Sequence, residues 1–125
     1  MSKSPGHQQY PDHKVREAHV ESRVTATLDG RTIGESSAVI RVDEDGASPR
    51  YYFPRDAVHV SQLTRSETTT SCPFKGVATY YSFTQGDRQF KDAIWSYEDP
   101  YDEHVALKGR IAFYDDRYPS LSVVV

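Results

Sequence analysis

Between residues 20 and 28 the chain alternates. Val20, Ser22, Val24, Ala26 and Leu28 fall on one face, and Glu21, Arg23, Thr25 and Thr27 on the other. A period of two belongs to an extended strand with one face buried, because successive side chains point to opposite sides. The run ends at Asp29-Gly30, a pair suited to the positive φ angles of a two-residue hairpin. This alternation, repeated along the chain between turn signals, is what most narrows the possible folds.

The same reading gives a return strand over residues 33–42, with Ala38, Ile40 and Val42 on one face, and a turn region around Asp45-Gly46. Tyr51, Tyr52 and Phe53 form a short strand stopped by Pro54, which opens a helical turn because proline suits the first helical position. Residues 64–76, rich in Ser and Thr, read as a long polar loop. Strands follow at 77–83 and 90–97, separated by a turn at Gln85-Gly86-Asp87. In the second, Trp95 and Tyr97 share a face. An acidic turn at 98–103, a strand at 107–114 and a last strand at 118–125 complete the pattern. No long stretch has helical periodicity. The expected class is all-β: a single small domain of antiparallel strands, built as a sandwich or partly open barrel. Residues 1–14, polar with Pro5, Gly6 and Pro11, read as a flexible arm, and residues 15–125 as the domain.

Composition removes several functions. The net charge is -3 with no basic run, so the electrostatic footprint of a duplex nucleic-acid binder is missing. Apolar runs are too short to span a membrane, and the N-terminal stretch lacks the apolar core of a signal peptide. The single cysteine, Cys72, excludes an intramolecular disulfide and a cysteine-rich zinc site, and there is no Asn to glycosylate; a cytoplasmic location is expected. The five histidines are scattered, so no metal is expected, and no cofactor motif occurs.

Four ordered segments carry a resemblance. These are Tyr51-Tyr52-Phe53-Pro54-Arg55-Asp56, then Thr68 through Cys72-Pro73-Phe74-Lys75-Gly76, then Ala93-Ile94-Trp95-Ser96-Tyr97-Glu98-Asp99-Pro100, and Lys108-Gly109-Arg110-Ile111-Ala112-Phe113-Tyr114. With Ala78-Thr79-Tyr80-Tyr81 they resemble the uncharacterised bacterial family DUF 427, over roughly residues 15–118. The resemblance implies a small β domain similar to the β-tent architecture and brings no catalytic residues with it. Some members carry a second copy of the domain; this chain has room for one. The family also carries a nucleotidyltransferase label. That chemistry needs carboxylates converging on Mg²⁺ and a backbone cradle for phosphates. Neither the Gly-Ser turn with an Asp-x-Asp pair nor a Walker loop is present, and the adjacent pairs Glu98-Asp99 and Asp115-Asp116 read as solvated turn carboxylates.

Two local features remain. Cys72 and Lys75 flank a Pro-Phe turn, which reads either as a thiolate favoured by a nearby ammonium or as a small cysteine closing a turn. Neither His59 nor His104 stands at a spacing that links it to Cys72, which favours the second reading. Tyr80, Tyr81, Trp95 and Tyr97 read either as core or as an aromatic wall for a planar or apolar ligand, with Lys75, Arg55 or Arg110 fixing an anionic end. The expectation is a small-molecule binding domain using Arg55, Cys72, Lys75, Tyr80, Trp95, Tyr97 and Arg110. The alternatives are an enzyme with Cys72 as nucleophile or redox thiol, and a homodimer or protein-interaction module using strand edges. All three turn on whether the Cys72–Gly76 turn and the Trp95 strand meet at one hollow.

Overall fold

The computed structural model describes residues 2–125. Its ten strands form three antiparallel sheets. One holds β1 (Val15–His19), β4 (Ile40–Glu44) and β5 (Arg50–Tyr52), with β4 in the middle. A second holds β2 (Val24–Leu28) between β3 (Arg31–Ser36) and β10 (Leu121–Val124). The third runs β6 (Ser61–Cys72), β7 (Gly76–Gln85), β8 (Arg88–Tyr97) and β9 (Ala112–Phe113) in that order. The all-β expectation is met, with the sheets open rather than closed into a barrel.

The third sheet sits between the other two. Tyr80 pairs with Trp95, and next to them Tyr81 pairs with Ile94. Adjacent strand residues face opposite ways, and the two pairs enter different cores. Tyr81, Ile94, Phe83 and Phe90 pack with Val24, Leu28, Ile33 and Phe53 of the β2 side. Tyr80, Trp95 and Tyr97 pack with Ile40, Val42 and Tyr52 of the β4 side. Strand β8 is buried without interruption from Asp92 to Tyr97, as expected of a strand covered on both faces.

Several local expectations change. The alternating run begins at Val24, not Val20, because the chain crosses between sheets at 20–23 and Val15–His19 pairs with β4 instead. A matching crossing at 37–39 splits the return strand into β3 and β4, and Val39 is buried at the crossing. The two crossings are tied by the Val20 N–H donating to the Val39 carbonyl at 2.9 Å. The polar loop expected at 64–76 is mostly strand: β6 is an edge, so its Ser, Thr, Arg and Glu side chains face water while its backbone pairs with β7. Register breaks between Ser61 and Thr64 and between Arg65 and Thr69 interrupt that pairing. Of the strand expected at 107–114 only Ala112–Phe113 remains, because Asp102–Leu107 winds as a 3-10 helix and buries Leu107.

The segment read as a flexible arm is docked. Met1 lies outside the described residues; from Ser2 onward the segment binds the body. Ser4 is fully buried, caps the short helix α1 (Pro5–Gln9) and donates its hydroxyl to the Pro73 carbonyl at 2.8 Å. The Gly6 N–H donates to the same carbonyl, and a side chain at Gly6 would stand 2.7 Å from it. Polar composition hid this because the docking uses backbone groups, small residues and histidine rings rather than aliphatic side chains. Asp29 and Gly30 both take positive φ, 51° and 81°, as the predicted hairpin requires.

Phe53 joins the layers. It is wholly buried, exchanges backbone hydrogen bonds with Ile111 at 2.7 and 2.9 Å, and meets Phe113 edge to face at 5.5 Å. Phe53→Ala is expected to lower unfolding free energy by about 3–5 kcal/mol, while Tyr10→Ala, at an exposed position, changes it by less than about 0.5 kcal/mol. Urea denaturation followed by Trp95 fluorescence checks both.

Candidate functional site

On the β4 side of the central sheet lies a hollow of about 250 Å³. The β4–β5 hairpin supplies Glu44, Arg50 and Tyr52 to its wall; the central sheet supplies Thr70, Lys75, Tyr80, Trp95 and Tyr97; Tyr114 closes one side. The hairpin turns at its tip, Asp45-Gly46, where Gly46 takes a φ of 81°.

Lys75 enters because of the turn that carries it. Cys72 pairs with Gly76 across the hairpin, and Gly76 takes a φ of 126°, a conformation that L side chains resist. The Lys75 side chain is about nine-tenths buried, and its ammonium stands 2.6 Å from Glu44 Oε1. The other Glu44 oxygen lies 3.0 Å from His13 Nε2. Burial alone would raise the Glu44 pKa, but hydrogen bonds from Lys75 and His13 outweigh it and hold the carboxyl below its ordinary value. Lys75 also lies over the Tyr97 ring, 5.8 Å from its centre. A second cation, Arg50, lies over Trp95 and Tyr114, 5.3 and 5.7 Å from their centres. Behind it Asp116 accepts at 3.0 Å and Asp115 stands at 3.6 Å. Each cation thus has a carboxylate partner and an aromatic ring beside it.

The phenols are held differently. Tyr52 accepts the Trp95 indole N–H at 3.2 Å, and Tyr80 shares a hydrogen bond with Thr70 Oγ1 at 3.1 Å. Tyr97 is 6% exposed, its ring lines the hollow, and no hydrogen bond to its hydroxyl is found among the described residues. Burial pushes the Tyr97 and Tyr52 pKa values far up, so both are neutral donors. Tyr114, hydrogen-bonded to Tyr80 and partly buried, is pushed up to about 12. The wall therefore offers hydroxyl hydrogens, and for those of Tyr52 and Tyr97 no protein acceptor is found among the described residues.

The hollow gathers Lys75, Tyr80, Trp95 and Tyr97, four of the residues singled out in the sequence. Cys72 is half-buried and packs beside the same cluster, but is not in the wall, and no hydrogen bond to its thiol is found among the described residues. Arg55 is on the other face of the sheet, over the Tyr81 ring at 5.3 Å and 3.3 Å from Glu98, which also accepts the Tyr81 hydroxyl. Arg110 binds backbone, donating to the carbonyls of Ala38 at 2.7 Å and Tyr52 at 3.3 Å. Both arginines hold the fold rather than face the hollow. Sequence reasoning missed Glu44, Arg50, Tyr52 and Tyr114. No period links them to Lys75 or Trp95; only the pairing of β4 with β5 across a turn brings them in.

An all-β domain with an aromatic-walled, internally charge-balanced hollow is the class of protein these features define. A family profile described as a domain of unknown function, DUF427, and named NTP_transf_9, matches residues 16–123. The chain belongs to that family. No curated protein matches it. Among the described residues no group of three or more His, Cys, Asp or Glu is placed to hold a metal ion, and no helix is long and apolar enough to cross a membrane.

Glu44→Ala leaves the Lys75 ammonium buried beside no carboxylate, and is expected to cost about 1–3 kcal/mol given that Glu44 is partly exposed. Because the Glu44 pKa falls on folding, its contribution is complete above the ordinary value of 4.5 and is lost as pH drops through the lower folded value. Chemical denaturation between neutral pH and the acid limb is expected to show a shallower acid loss in Glu44→Ala than in the parent.

Proposed function

We propose that the chain is a small-molecule binding domain whose ligand sits in the hollow between the β4–β5 hairpin and the central sheet. The observation that carries this reading is Tyr97: its ring is 6% exposed and lines the hollow, and its neutral hydroxyl has no protein acceptor among the described residues. A ligand oxygen would give that hydroxyl an acceptor, a bond worth roughly 0.5–1.5 kcal/mol net. Lys75 adds further donors, since its ammonium carries three N–H groups and Glu44 takes one.

The charges narrow the ligand. Lys75 and Arg50 face Glu44, Asp115 and Asp116, so the cations are already neutralised. The rings of Trp95 and Tyr97 have cations over them, which leaves phenol hydroxyls and ring edges as the contact surface. This favours a compact neutral molecule with carbonyl or hydroxyl oxygens over a stacked aromatic or a highly charged phosphate ester.

A thermal-shift screen pairing neutral carbonyl compounds and sugars with nucleotides and aromatic acids tests the reading. Stabilisation by the neutral oxygen-bearing set is expected. Tyr97→Phe is expected to weaken the binding of any hit about tenfold while changing the stability of the unliganded fold by less than about 1 kcal/mol. Binding unchanged in both Tyr97→Phe and Lys75→Met, or no hit from any set, would remove the proposal.

A further inference from the structure

The docked N-terminal segment is held by an unusual contact. His7 Nε2 and His104 Nε2 are 2.8 Å apart, and the ring centres are 5.1 Å apart, so the nitrogens meet nearly head-on. A zinc ion held in line between them would need a separation of about 4 Å, so the gap fits one shared hydrogen. On its other side His104 Nδ1 stands 2.5 Å from Glu17 Oε2 on β1. A carboxylate only accepts, so Nδ1 carries a proton. Neutral His104 then presents the Nε2 lone pair, and His7 donates its Nε2–H. Only one hydrogen fits between the rings. Two imidazolium rings would set N–H against N–H, so the docked pair carries at most one positive charge. Undocked, each ring is free to carry one.

We infer that residues 4–13 form a proton-sensitive strap, docked at neutral pH and released as a second proton binds the His7–His104 pair. His104 is 3% exposed and cannot turn aside to water while the strap is in place. The surrounding charges act in both directions: Glu17 at His104 Nδ1 favours a charge on that ring, while the two rings facing each other oppose a second one. His7 is held below its ordinary 6.5 by burial first and then by His104, with His13 adding to this and Glu103 and Glu44 opposing it. Docking therefore has full strength above about pH 6.5 and weakens as pH falls below it. The other groups around the strap act differently. Glu44 accepts from His13 and is shared with Lys75, so a charge on His13 meets an attractive partner. Glu103 accepts the Ser4 N–H at 2.9 Å, and that bond holds its pKa below the ordinary carboxylate value, in a window well beneath the histidine step.

The strap covers the turn that carries Lys75. His7 meets the Phe74 ring edge-on at 5.0 Å, and His13 stacks on it at 4.3 Å. Release uncovers Phe74 and takes His13 from Glu44, the carboxylate that holds Lys75.

Hydrogen exchange of the full chain, corrected for the intrinsic pH dependence of amide exchange, tests the inference. Amides of residues 4–13 are expected to speed up by roughly tenfold per pH unit below about pH 6, while β7 and β8 stay protected. His7→Gln keeps an N–H for His104 and takes up no proton, so its strap is expected to exchange at a rate independent of pH. A flat response in the parent, or the same slope in His7→Gln, overturns the inference. If His7→Gln is undocked at every pH, ¹⁵N titration of the imidazoles in the parent decides. One charge gained by the pair while the strap remains protected supports the strap. Two charges gained while it remains protected overturn it.

Discussion

The double burial of β8 is the constraint on which the rest of the structure depends. Six consecutive residues, Asp92 to Tyr97, have no free face, so the apolar side chains there must be covered from one of two different sides. Ile94 draws in the β2 side and Trp95 the β4 side. The chain has to supply both covers, and it does so by crossing over at 20–23 and again at 37–39, held by the bond from Val20 to Val39. Apolar covers suffice on the β2 side. On the β4 side the cover is a short hairpin bearing Glu44 and Arg50, and that polar lid over an aromatic floor is what leaves a hollow.

The cations and the indole around the hollow are tolerated because each is answered locally. The ammonium of Lys75 has Glu44, the guanidinium of Arg50 has Asp115 and Asp116, and the indole of Trp95 has Tyr52. Removing water from such pairs is costly, and what offsets the cost is geometry rather than charge alone. The phenol of Tyr97 breaks this pattern. Matched charges around a phenol that lacks a protein acceptor are a more specific pointer to a binding role than the size of the cavity.

The strands were readable where the pattern was local. Val24, Ala26 and Leu28, the Asp29-Gly30 turn, Pro54 and the strands around residues 77–83 and 90–97 all follow from period, turn chemistry and hairpin spacing. The sequence left open whether Lys75 meets Trp95 and Tyr97; in the fold β7 and β8 are sequential neighbours, and the turn before β7 carries Lys75 into the same wall. What was not readable depended on distant partners. Residues 64–76 have a loop's composition because their side chains are solvated at a sheet edge, although their backbone is paired. Arg55 and Arg110 have the charge that a binding site wants, and only the fold shows them engaged with Glu98 and with backbone carbonyls. Residues 2–14 lack apolar content, yet Ser4 and Gly6 seat them through one carbonyl, that of Pro73.

The interruptions along β6 have a consequence for how this molecule meets its neighbours in a crowded solution. A continuous open strand twelve residues long would act as a template, since any extended segment could zip along it rung by rung. Here the rungs are out of step at two places, so an incoming strand aligned with one stretch is misaligned with the next and gains only a few bonds before it stalls. The domain thus keeps a long solvated border without offering fibres a place to start.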